Sequence, residues 1–247
     1  MNSRNGLNNR KNEKKISKII SCIFGFYILL SFLAPLMMEE GSVPELSGRA
    51  NAIDYATEQS WGNLENGEDS EIGHDQSKHG GVFAWSELNP IWAITYLLGD
   101  INCHQKHERS WEINDNQMPI CTRDVGILFG IVFGCLFFRI RGSNRWTIRD
   151  TFLTIIPDNG LSIIYKKDAR LFAMFLLITL SIIPIGIDGF AQMLTDYEST
   201  NLKRVITGFI AGLGLGWLIC SMLAAKPEYF ENSEKVVLPI GSLLKIK

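Results

Sequence analysis

The sequence carries little net charge and lacks the motifs of the commonest soluble enzymes. Its formal net charge is −2 over 247 residues, and no basic stripe is interleaved with aromatic side chains, so nucleic acid is set aside as a partner. The chain has no phosphate-binding glycine loop, no serine nucleophile elbow and no helical zinc motif with two histidines. The sequence therefore gives no motif-based support for a P-loop nucleotide-binding protein, a serine hydrolase of the nucleophile-elbow type or a two-histidine zinc protease.

Cysteine is scarce wherever the sequence is polar. Of the five cysteines, Cys22, Cys135 and Cys220 lie inside apolar runs, where we expect them to behave as small hydrophobic side chains. Only Cys103 and Cys121 lie in polar sequence. Any chemistry that requires a thiol or a thiolate ligand is therefore expected at these two positions.

What the sequence does contain is a series of long apolar runs, which the mean hydropathy of +0.08 conceals by averaging them with a polar first third. A helix of about 20 residues crosses a bilayer core of ~30 Å, because each residue rises ~1.5 Å. Four runs predict such helices: residues 19–38, residues 125–138 with Met118 to Ile120 ahead of them, residues 171–187 with a bend at Pro184, and residues 202–225. We therefore predict an all-α, polytopic membrane helical bundle with four spans.

The first run follows a basic segment, since residues 1–18 carry six lysines and arginines against one acid. A cleaved signal peptide is the alternative interpretation. The run is long for a signal, and the region around Pro35 lacks a small-x-small cleavage site. We favour an uncleaved helix, so that residues 1–38 form a basic N-terminus and the first span.

Residues 39–81 hold ten acids and two bases, and they are poor in apolar side chains. A segment that buries so little apolar surface does not offset the entropy lost on ordering, which predicts an acidic flexible linker. His74 and His79 lie in this segment. We interpret them as solvated loop residues, with metal binding as the alternative.

Residues 82–99 are apolar but interrupted by Glu87 and Pro90, and aromatic residues of the interfacial kind flank them. This pattern predicts an interfacial or re-entrant helix instead of a full span. Together with the three spans that follow, it forms a membrane core domain of residues 82–225. The tail, residues 226–247, begins with Lys-Pro, which ends the last helix.

The distribution of lysine and arginine predicts the orientation in the membrane. With four spans and the N-terminus inside, residues 1–18, 139–170 and 226–247 lie in the cytoplasm and carry 17 of the 24 basic residues. A fifth span at residues 82–99 would place the basic segment 139–170 outside. We therefore expect a multi-pass protein of the cell membrane with both termini cytoplasmic. The acidic linker and both polar clusters described below then face the extracytoplasmic side.

Two of the predicted spans carry glycine at every fourth residue, which clears one face of a helix for close backbone contact. The repeats predict that the second and fourth spans pack together. The alternative is that glycine is simply common in membrane helices. The two repeats consist of Gly126, Gly130 and Gly134 in the second span and of Gly208, Gly212 and Gly216 in the fourth.

The densest group of reactive side chains lies just before the second span. Cys103, His104 and Cys121, with Asp124 as a fourth ligand, can fill a tetrahedral site for zinc or iron. The Cys121-x-x-Asp124 spacing suits two ligands on the first turn of a helix. The adjacent residues Cys103 and His104 bind one ion together only if the chain turns tightly between them.

Three alternatives to a metal site remain open for the two cysteines. A Cys103–Cys121 disulfide would persist on the oxidising side of a membrane and would stabilise by roughly 3 kcal/mol in the chain-entropy picture. A redox-active pair would need Arg109 or Arg123 to lower a thiol pKa. The third alternative is two unpaired thiols.

A second polar cluster lies between the third and fourth predicted spans. Asp188 and Gln192 are four residues apart and share a helix face, and a carboxylate at the end of a span is costly unless it is paired or hydrated. Arg204 is placed on the fourth span to meet Asp188, either in a functional pair or in a structural ion pair. Arg123 can snorkel to the headgroups, pair with Asp124, Asp188 or Asp196, or bind an anionic headgroup. The expected catalytic residues are Asp188, Gln192, Arg204 and Arg123.

The two clusters together resemble a family of small prokaryotic predicted membrane proteins that is classed as a domain of unknown function. The resemblance runs from about Tyr96 to Ala224 and implies the fold and topology, without an activity. Many members have the motif Cys-x-Arg-Cys, whereas the corresponding motif of this chain is Cys121-Thr-Arg123-Asp124. Asp124 can ligate a metal but cannot form a disulfide. The matching pattern is Cys103-His104-Gln105, Glu108-Arg109-Ser110, Gln117, Cys121-x-Arg123-x-x-Gly126, Asp188-Gly189-x-x-Gln192 and Ser199-x-Asn201-x-x-Arg204-x-x-Thr207-Gly208.

Three functions fit these observations. The first is a metal- or thiol-dependent membrane enzyme that acts on an anionic or lipid-like substrate, with Asp188 as base or orienting carboxylate. The second is a binding or transport subunit that selects a small-molecule ligand with the same polar groups. The third is a structural membrane protein in which the clusters only fasten helices. The lipid bilayer is the expected partner in all three, and the oligomeric state is left open.

Overall fold

The chain is mostly helical, and its described α-helices range in length from 5 to 27 residues. The structure, a computed structural model, describes residues 9–46, 53–63, 76, 81–103, 105–239 and 241–244. A two-stranded antiparallel hairpin interrupts the helices and was not expected from the sequence. The elements are α1 (Lys11–Met37), α2 (Pro90–Asn102), β1 (Glu112–Ile113), β2 (Asn116–Gln117), α3 (Thr122–Arg141), α4 (Ile148–Phe152), α5 (Asp158–Lys166), α6 (Arg170–Leu194) and α7 (Asn201–Ala224).

Three helices of the described chain, α1, α6 and α7, are long and apolar enough to cross a membrane by length and composition. They correspond to the first, third and fourth predicted spans. Large apolar side chains on α6 are exposed, among them Phe172 at 70% and Ile187 at 66%. Such a surface is unusual for a soluble protein and suits contact with lipid.

Helix α3, the second predicted span, has charges at both ends. It contains 20 residues, with Arg123 and Asp124 in its first turn and Arg139 and Arg141 in its last. The uncharged stretch between them is about 14 residues, or ~21 Å at ~1.5 Å per residue. The helix begins at Thr122, so the apolar residues Met118 to Ile120 precede it instead of extending it. For this reason α3 is shorter and more charged than the sequence pattern suggested.

The described residues divide into two compact units, which are treated separately below. Unit one comprises residues 1–24, 127–196 and 209–247. Unit two comprises residues 25–126 and 197–208 and contains the predicted cysteine cluster.

In unit one, the glycine faces of α3 and α7 are in direct backbone contact. A methyl group added at Gly130 would overlap the carbonyl oxygen of Phe209, and one added at Gly134 would overlap that of Leu213. From the other side, a methyl group at Gly216 would overlap the carbonyl oxygen of Ile131. The predicted contact between these glycine faces is confirmed.

Unit one also contains a buried ion network that the sequence did not predict, which we call the Asp150 network. The Asp150 carboxylate is fully buried and accepts hydrogen bonds from the Tyr165 hydroxyl at 2.7 Å, from Arg170 Nη1 at 3.4 Å and from Arg149 Nη2 at 3.3 Å. Two further ion pairs extend it, with Arg145 2.6 Å from Asp158 and Arg170 2.8 Å from Asp168. The basic segment 139–170 is therefore folded around its own aspartates.

In unit two, the described part of the predicted linker is packed. Val43, Leu46, Tyr55 and Phe83 are at most 3% exposed and form one apolar cluster with Tyr96 of α2. Burial of these few side chains contributes about 1.5–3 kcal/mol each in transfer free energy. The positions of His74 and His79 lie outside the described residues.

Helix α2 occupies the region predicted to be interfacial. It has 13 residues, or ~20 Å at ~1.5 Å per residue, and is too short to cross a bilayer core of ~30 Å. The side chain of Asp100 on this helix accepts hydrogen bonds from the Tyr55 amide at 3.0 Å and from Trp85 Nε1 at 2.9 Å. These bonds attach the preceding segment to α2.

Candidate functional site

Cys103 is placed by the end of α2. Asn89 caps the start of this helix by accepting hydrogen bonds from the amides of Ile91 and Trp92 at 3.1 and 3.2 Å, and Pro90 occupies the first helical position. The helix ends at Asn102, and the Cys103 amide donates to the Gly99 carbonyl at 2.8 Å. The Cys103 side chain is 2% exposed, so its thiol lies inside unit two.

A buried amide network holds the loop that returns from Cys103 to α3. Gln105 Nε2 donates to the Pro119 carbonyl at 3.0 Å, and Gln117 Nε2 donates to the Gln105 carbonyl at 2.7 Å. The Tyr96 hydroxyl donates to the Gln117 carbonyl at 2.7 Å. Gln105 and Gln117 belong to the pattern singled out in the sequence, and both therefore have a structural role.

Two local features let the loop approach α2 so closely. At Gly99 a methyl group would overlap the Pro119 carbonyl, so only glycine leaves room for this contact. The hairpin between β1 and β2 turns through Asn114 and Asp115, whose φ angles of 57° and 53° are typical of a two-residue hairpin turn. The hairpin returns the chain to α2 and to Cys121.

Cys121 stands directly before α3 and faces the other two potential ligands. Its carbonyl accepts the Val125 amide at 3.0 Å, which is the first turn of the helix. Its thiol donates to Asp124 Oδ2 at 3.2 Å, and its amide donates to Cys103 Sγ at 3.1 Å. Asp124 lies in the first turn of α3, as predicted, whereas Cys121 directly precedes that turn.

One ligand atom from each of Cys103, Cys121 and Asp124 lies within 4.8 Å of the others. Two thiolates bound to one tetrahedral zinc, with Zn–S bonds of ~2.3 Å, lie ~3.8 Å apart, which falls within this limit. Two sulfurs and one carboxylate oxygen are donors that zinc and iron accept. His104, the remaining predicted ligand, lies outside the described residues.

The two cysteines are present as thiols and not as a disulfide. The side-chain hydrogen bond with Cys121 and burial raise the pKa of the Cys103 thiol well above its usual range, and the charge of Asp124 acts in the same direction. The redox hypothesis required an arginine to lower a thiol pKa, and at Cys103 the shift has the opposite sign. A bound cation would favour the thiolate, because metal binding displaces the thiol proton.

A cavity of about 110 Å³, which we call the cysteine–arginine cavity, opens beside the three ligand atoms. Among the described residues that line it, four are cationic and Asp124 is the carboxylate. The lining consists of Asn102, Cys103, Lys106, Arg109, Cys121, Arg123, Asp124 and Arg204. Lys106 and Asn102 were not singled out by the sequence, although both flank the predicted cysteine segment.

The start of α7 is attached to this site through Thr122. The Thr122 hydroxyl donates to the Arg109 carbonyl at 3.1 Å and lies 3.1 Å from the Asn201 side-chain oxygen. Thr200 caps α7, since its hydroxyl accepts a hydrogen bond from the Lys203 amide at 3.4 Å. These contacts explain how Arg204, 2% exposed, is held in the cavity lining.

The predicted catalytic residues fall into two groups. Arg123 and Arg204 line the cavity in unit two. Asp188 and Gln192 belong to unit one, where Gln192 Nε2 donates to Asp188 Oδ2 at 3.1 Å. Their shared helix face is therefore confirmed, whereas the pairing of Arg204 with Asp188 stays a prediction.

Comparison with known proteins agrees with the membrane character and leaves the chemistry open. The family described as "Predicted membrane protein (DUF2085)" matches residues 103–218, which include the glycine faces and every cavity-lining residue except Asn102. An uncharacterized protein of Methanothermobacter thermautotrophicus is 30% identical over 116 residues, covering 47% of this chain and 82% of that protein. An uncharacterized protein of Methanocaldococcus jannaschii is 28% identical over 137 residues, covering 55% and 69%.

No solved structure matches the chain at a significant level. Two findings show the family. The family model matches residues 103–218, and the chain covers 82% of the Methanothermobacter relative at 30% identity. The protein belongs to the family of predicted membrane proteins DUF2085.

Proposed function

We propose that this chain is a metal-dependent membrane enzyme whose site is the cysteine–arginine cavity and whose substrate is anionic or lipid-like. The observation that carries the proposal is the meeting of Cys103, Cys121 and Asp124 within 4.8 Å at a cavity lined by arginines. A structural zinc site is closed by four protein ligands, whereas a catalytic site has three and keeps an open position. The described residues offer three potential ligands beside an open cavity, which supports the catalytic alternative.

In this proposal the cysteines and Asp124 bind the metal, and the arginines bind the substrate. A zinc ion bound by the two thiolates and the carboxylate would act there as a Lewis acid. Arg123 and Arg204 would hold an anionic group of the substrate by charge-assisted hydrogen bonds. The amide network of Gln105 and Gln117 keeps the ligands in place without the substrate.

We place this site on the extracytoplasmic face of a protein with four spans and two cytoplasmic termini. The proposal adds α3 to the three long apolar helices α1, α6 and α7. The arginines at the two ends of α3 can snorkel to the headgroups, which allows this short helix to span the membrane. The enrichment of lysine and arginine in residues 1–18, 139–170 and 226–247 supports the orientation, and α2 would then lie at the interface.

Elemental analysis of the purified full chain, combined with thiol counting, tests the metal site. We expect about one zinc or iron per chain, and its loss in Cys121→Ser. Cys22→Ser is the matched control, because it removes an exposed cysteine of α1 and should leave the metal content unchanged. A wild-type chain that contains no metal, and takes up none on incubation with zinc, would contradict the proposal.

His104→Ala distinguishes a catalytic site from a structural one. If three ligands suffice, this variant retains its metal and the site keeps an open position. If the metal is lost as completely as in Cys121→Ser, the site is closed by His104 and the enzyme proposal fails.

The predicted roles of Asp188 and Gln192 have a separate test. In the enzyme proposal Asp188→Asn folds normally, with an unchanged melting temperature, and abolishes turnover. If the pair is structural, the same variant lowers the melting temperature and shows no isolated functional defect. Gln192→Glu replaces the donor that lies 3.1 Å from Asp188 Oδ2 with a second carboxylate, so like-charge repulsion should lower the melting temperature.

A second candidate function is a structural membrane protein stapled by a disulfide. The proximity of Cys103 and Cys121 favours it, since the amide of one lies 3.1 Å from the sulfur of the other. Thiol counting separates the two candidates. A count that rises by two on reduction, together with no metal, would identify the staple.

A further inference from the structure

The exposed side of α2 is a continuous apolar face. The opposite side of this helix is buried in unit two and contains Thr95, Tyr96, Gly99 and Asp100. Residues three and four apart lie on one face of a helix, and the exposed apolar residues of α2 follow this spacing. We call them the α2 stripe, which consists of Ile91, Ile94, Leu98 and Ile101, each between 38% and 58% exposed.

Helix α2 packs against the second half of α1, which belongs to the same unit. The Tyr27 hydroxyl donates to the Thr95 carbonyl at 3.5 Å, and Ala34 packs in the apolar cluster that contains Tyr96. Tyr27 and Ala34 precede Met37, the last residue of α1, by ~15 and ~4.5 Å at ~1.5 Å per residue. Half of a bilayer core is ~15 Å thick. Because α1 is long and apolar enough to cross a membrane, this contact places α2 at the depth of one leaflet.

Helix α1 exposes large apolar side chains over the same length. Soluble proteins rarely expose so extended an apolar surface, whereas the acyl chains of lipids match it. Residues 47–52, 64–75 and 77–80, which lie outside the described chain, contain only Leu64 and Ile72 as large apolar residues, so their composition does not suit covering the α2 stripe. The exposed residues of α1 in unit two include Phe26, Leu29, Leu36 and Met37.

The α2 stripe leads to the cysteine–arginine cavity. Asn102 follows Leu98 by one turn on the same helix face, and its Nδ2 donates to the Leu98 carbonyl at 2.8 Å. Asn102 is exposed and lines the cavity next to Cys103. The cavity volume of about 110 Å³ is smaller than the ~150 Å³ cavity that accepts benzene, so only a few heavy atoms fit. A small polar group of a lipid can therefore enter the cavity, whereas its acyl chain has to lie outside.

From these observations we infer that the substrate is a membrane lipid that lies along the α2 stripe, with its acyl chain against Ile94 and Leu98 and its polar headgroup at the cysteine–arginine cavity. The substrate then reaches the site from the bilayer and passes Asn102 on the way. This inference rests on the proposed function, because it narrows the substrate of the same site to a lipid and names the surface that binds its chain.

Lipid retention by the full-length chain tests the inference. The chain is reconstituted in nanodiscs of equal parts of phosphatidylcholine and phosphatidylglycerol and is then extracted in detergent. Mass spectrometry counts the phospholipid that stays bound. We expect bound lipid in the wild type and at least about tenfold weaker retention in Ile94→Asn, because losing the burial of about two CH₂ groups is enough for such a change.

Ile163→Asn is the matched control. It makes the same change at a residue that is 62% exposed on α5 of unit one and does not belong to the α2 stripe. Its lipid retention should stay within about twofold of the wild type, because the bound lipid does not contact it. An equal loss in Ile94→Asn and Ile163→Asn would overturn the inference, since the lipid would then be held by no particular surface.

Photocrosslinking in the same nanodiscs locates the lipid and keeps the test decisive if Ile94→Asn does not fold. Photoreactive benzoylphenylalanine in place of Ile94 should form adducts with an acyl chain. The same residue in place of Asn102 should form adducts with the lipid near its headgroup. The control position is Glu58, an exposed residue of the acidic segment in unit two, which should give no lipid adduct.

The outcomes separate this inference from the proposed metal site. Lipid adducts at both Ile94 and Asn102 support it. Adducts at Ile94 alone overturn it, because the stripe would then face the bilayer without leading a lipid to the cavity, and so does crosslinking of Ile94 to a second copy of the chain. Metal-containing protein that retains no lipid overturns the lipid site and leaves the metal proposal intact. Metal-free protein that retains lipid through Ile94 supports the lipid site and contradicts the enzyme proposal.

Discussion

The two charged clusters of this protein are built on opposite principles. In the Asp150 network, three arginines meet three aspartates at distances of 2.6 to 3.4 Å, and each buried charge has a direct partner. In the cysteine–arginine cavity, the described lining holds four cations and one carboxylate around an open space. The first cluster is complete without a ligand, whereas the second concentrates one sign of charge where a ligand can enter. Density of charge alone therefore does not distinguish a binding site from a structural network, and the excess of one sign of charge beside a cavity is what the proposed site rests on.

The largest expected loss of stability comes from removing one charge of the Asp150 network. Asp150→Asn leaves Arg170 and Arg149 facing a neutral amide inside unit one, and loss of one partner of a buried pair costs about 3–5 kcal/mol in the free energy of unfolding. Chemical denaturation in detergent measures it. The matched control is Glu228→Gln, because Glu228 is 61% exposed and 3.8 Å from Lys226, so the change should be at most about 1 kcal/mol. Equal effects would show that the network is not structural.

The second prediction concerns removal of the metal from the unbalanced cluster. At a zinc concentration of about 100 times Kd, binding to the folded chain adds about 2.7 kcal/mol to its stability, and a chelator removes this increment. In Cys121→Ser, the free energy of unfolding should be the same with zinc and with chelator. In Asp150→Asn, the stabilisation by zinc should remain, although the free energy of unfolding is lower under both conditions. Unfolding curves of each variant with and without zinc provide the measurement. A zinc effect that persists in Cys121→Ser would place the metal elsewhere.

The smallest expected change in stability comes from removing an arginine of the cysteine–arginine cavity, which can be compared with removing one from the Asp150 network. Arg109→Gln removes one of several like charges from the cavity, so the free energy of unfolding in the absence of ligand should change by about 0.5 kcal/mol or less. Arg170→Gln, which removes an arginine from the balanced network, should cost about 3–5 kcal/mol for the reason given for Asp150. A destabilisation of similar size in both variants would mean that Arg109 is a structural residue.

Most of the fold could be predicted because the relevant signals are local. Apolar runs predicted α1, α6 and α7, and four-residue spacing predicted both the glycine contact and the neighbourhood of Asp188 and Gln192. The hairpin at residues 112–117 was missed because its strands have two residues each, too few to show alternation. The Asp150 network was missed because its members are scattered over residues 145–170 and only meet when α4 and α5 form.

The site could be predicted in part. The cysteines and Asp124 were recognised from residue type and spacing, since one turn of helix joins Cys121 to Asp124. Lys106 was missed because a lysine in a polar loop gives no signal of its own. The convergence of Arg109, Arg123 and Arg204 depends on how α7 meets the loop through Thr122 and Asn201, which no sequence spacing encodes.

The loop that carries Cys103 and leads to Cys121, two of the proposed metal ligands, is held by contacts within the protein itself. Tyr96, Gln105 and Gln117 fix it by buried hydrogen bonds, and Gly99 lets its backbone lie directly against α2. Many small metal sites assemble only as the ion binds, so that the empty chain unfolds. Here the empty and the loaded protein would share one conformation. Such a site can release and recapture its ion within the lifetime of a folded molecule, so that occupancy would follow the supply of the ion in the cell without any need to make the protein anew.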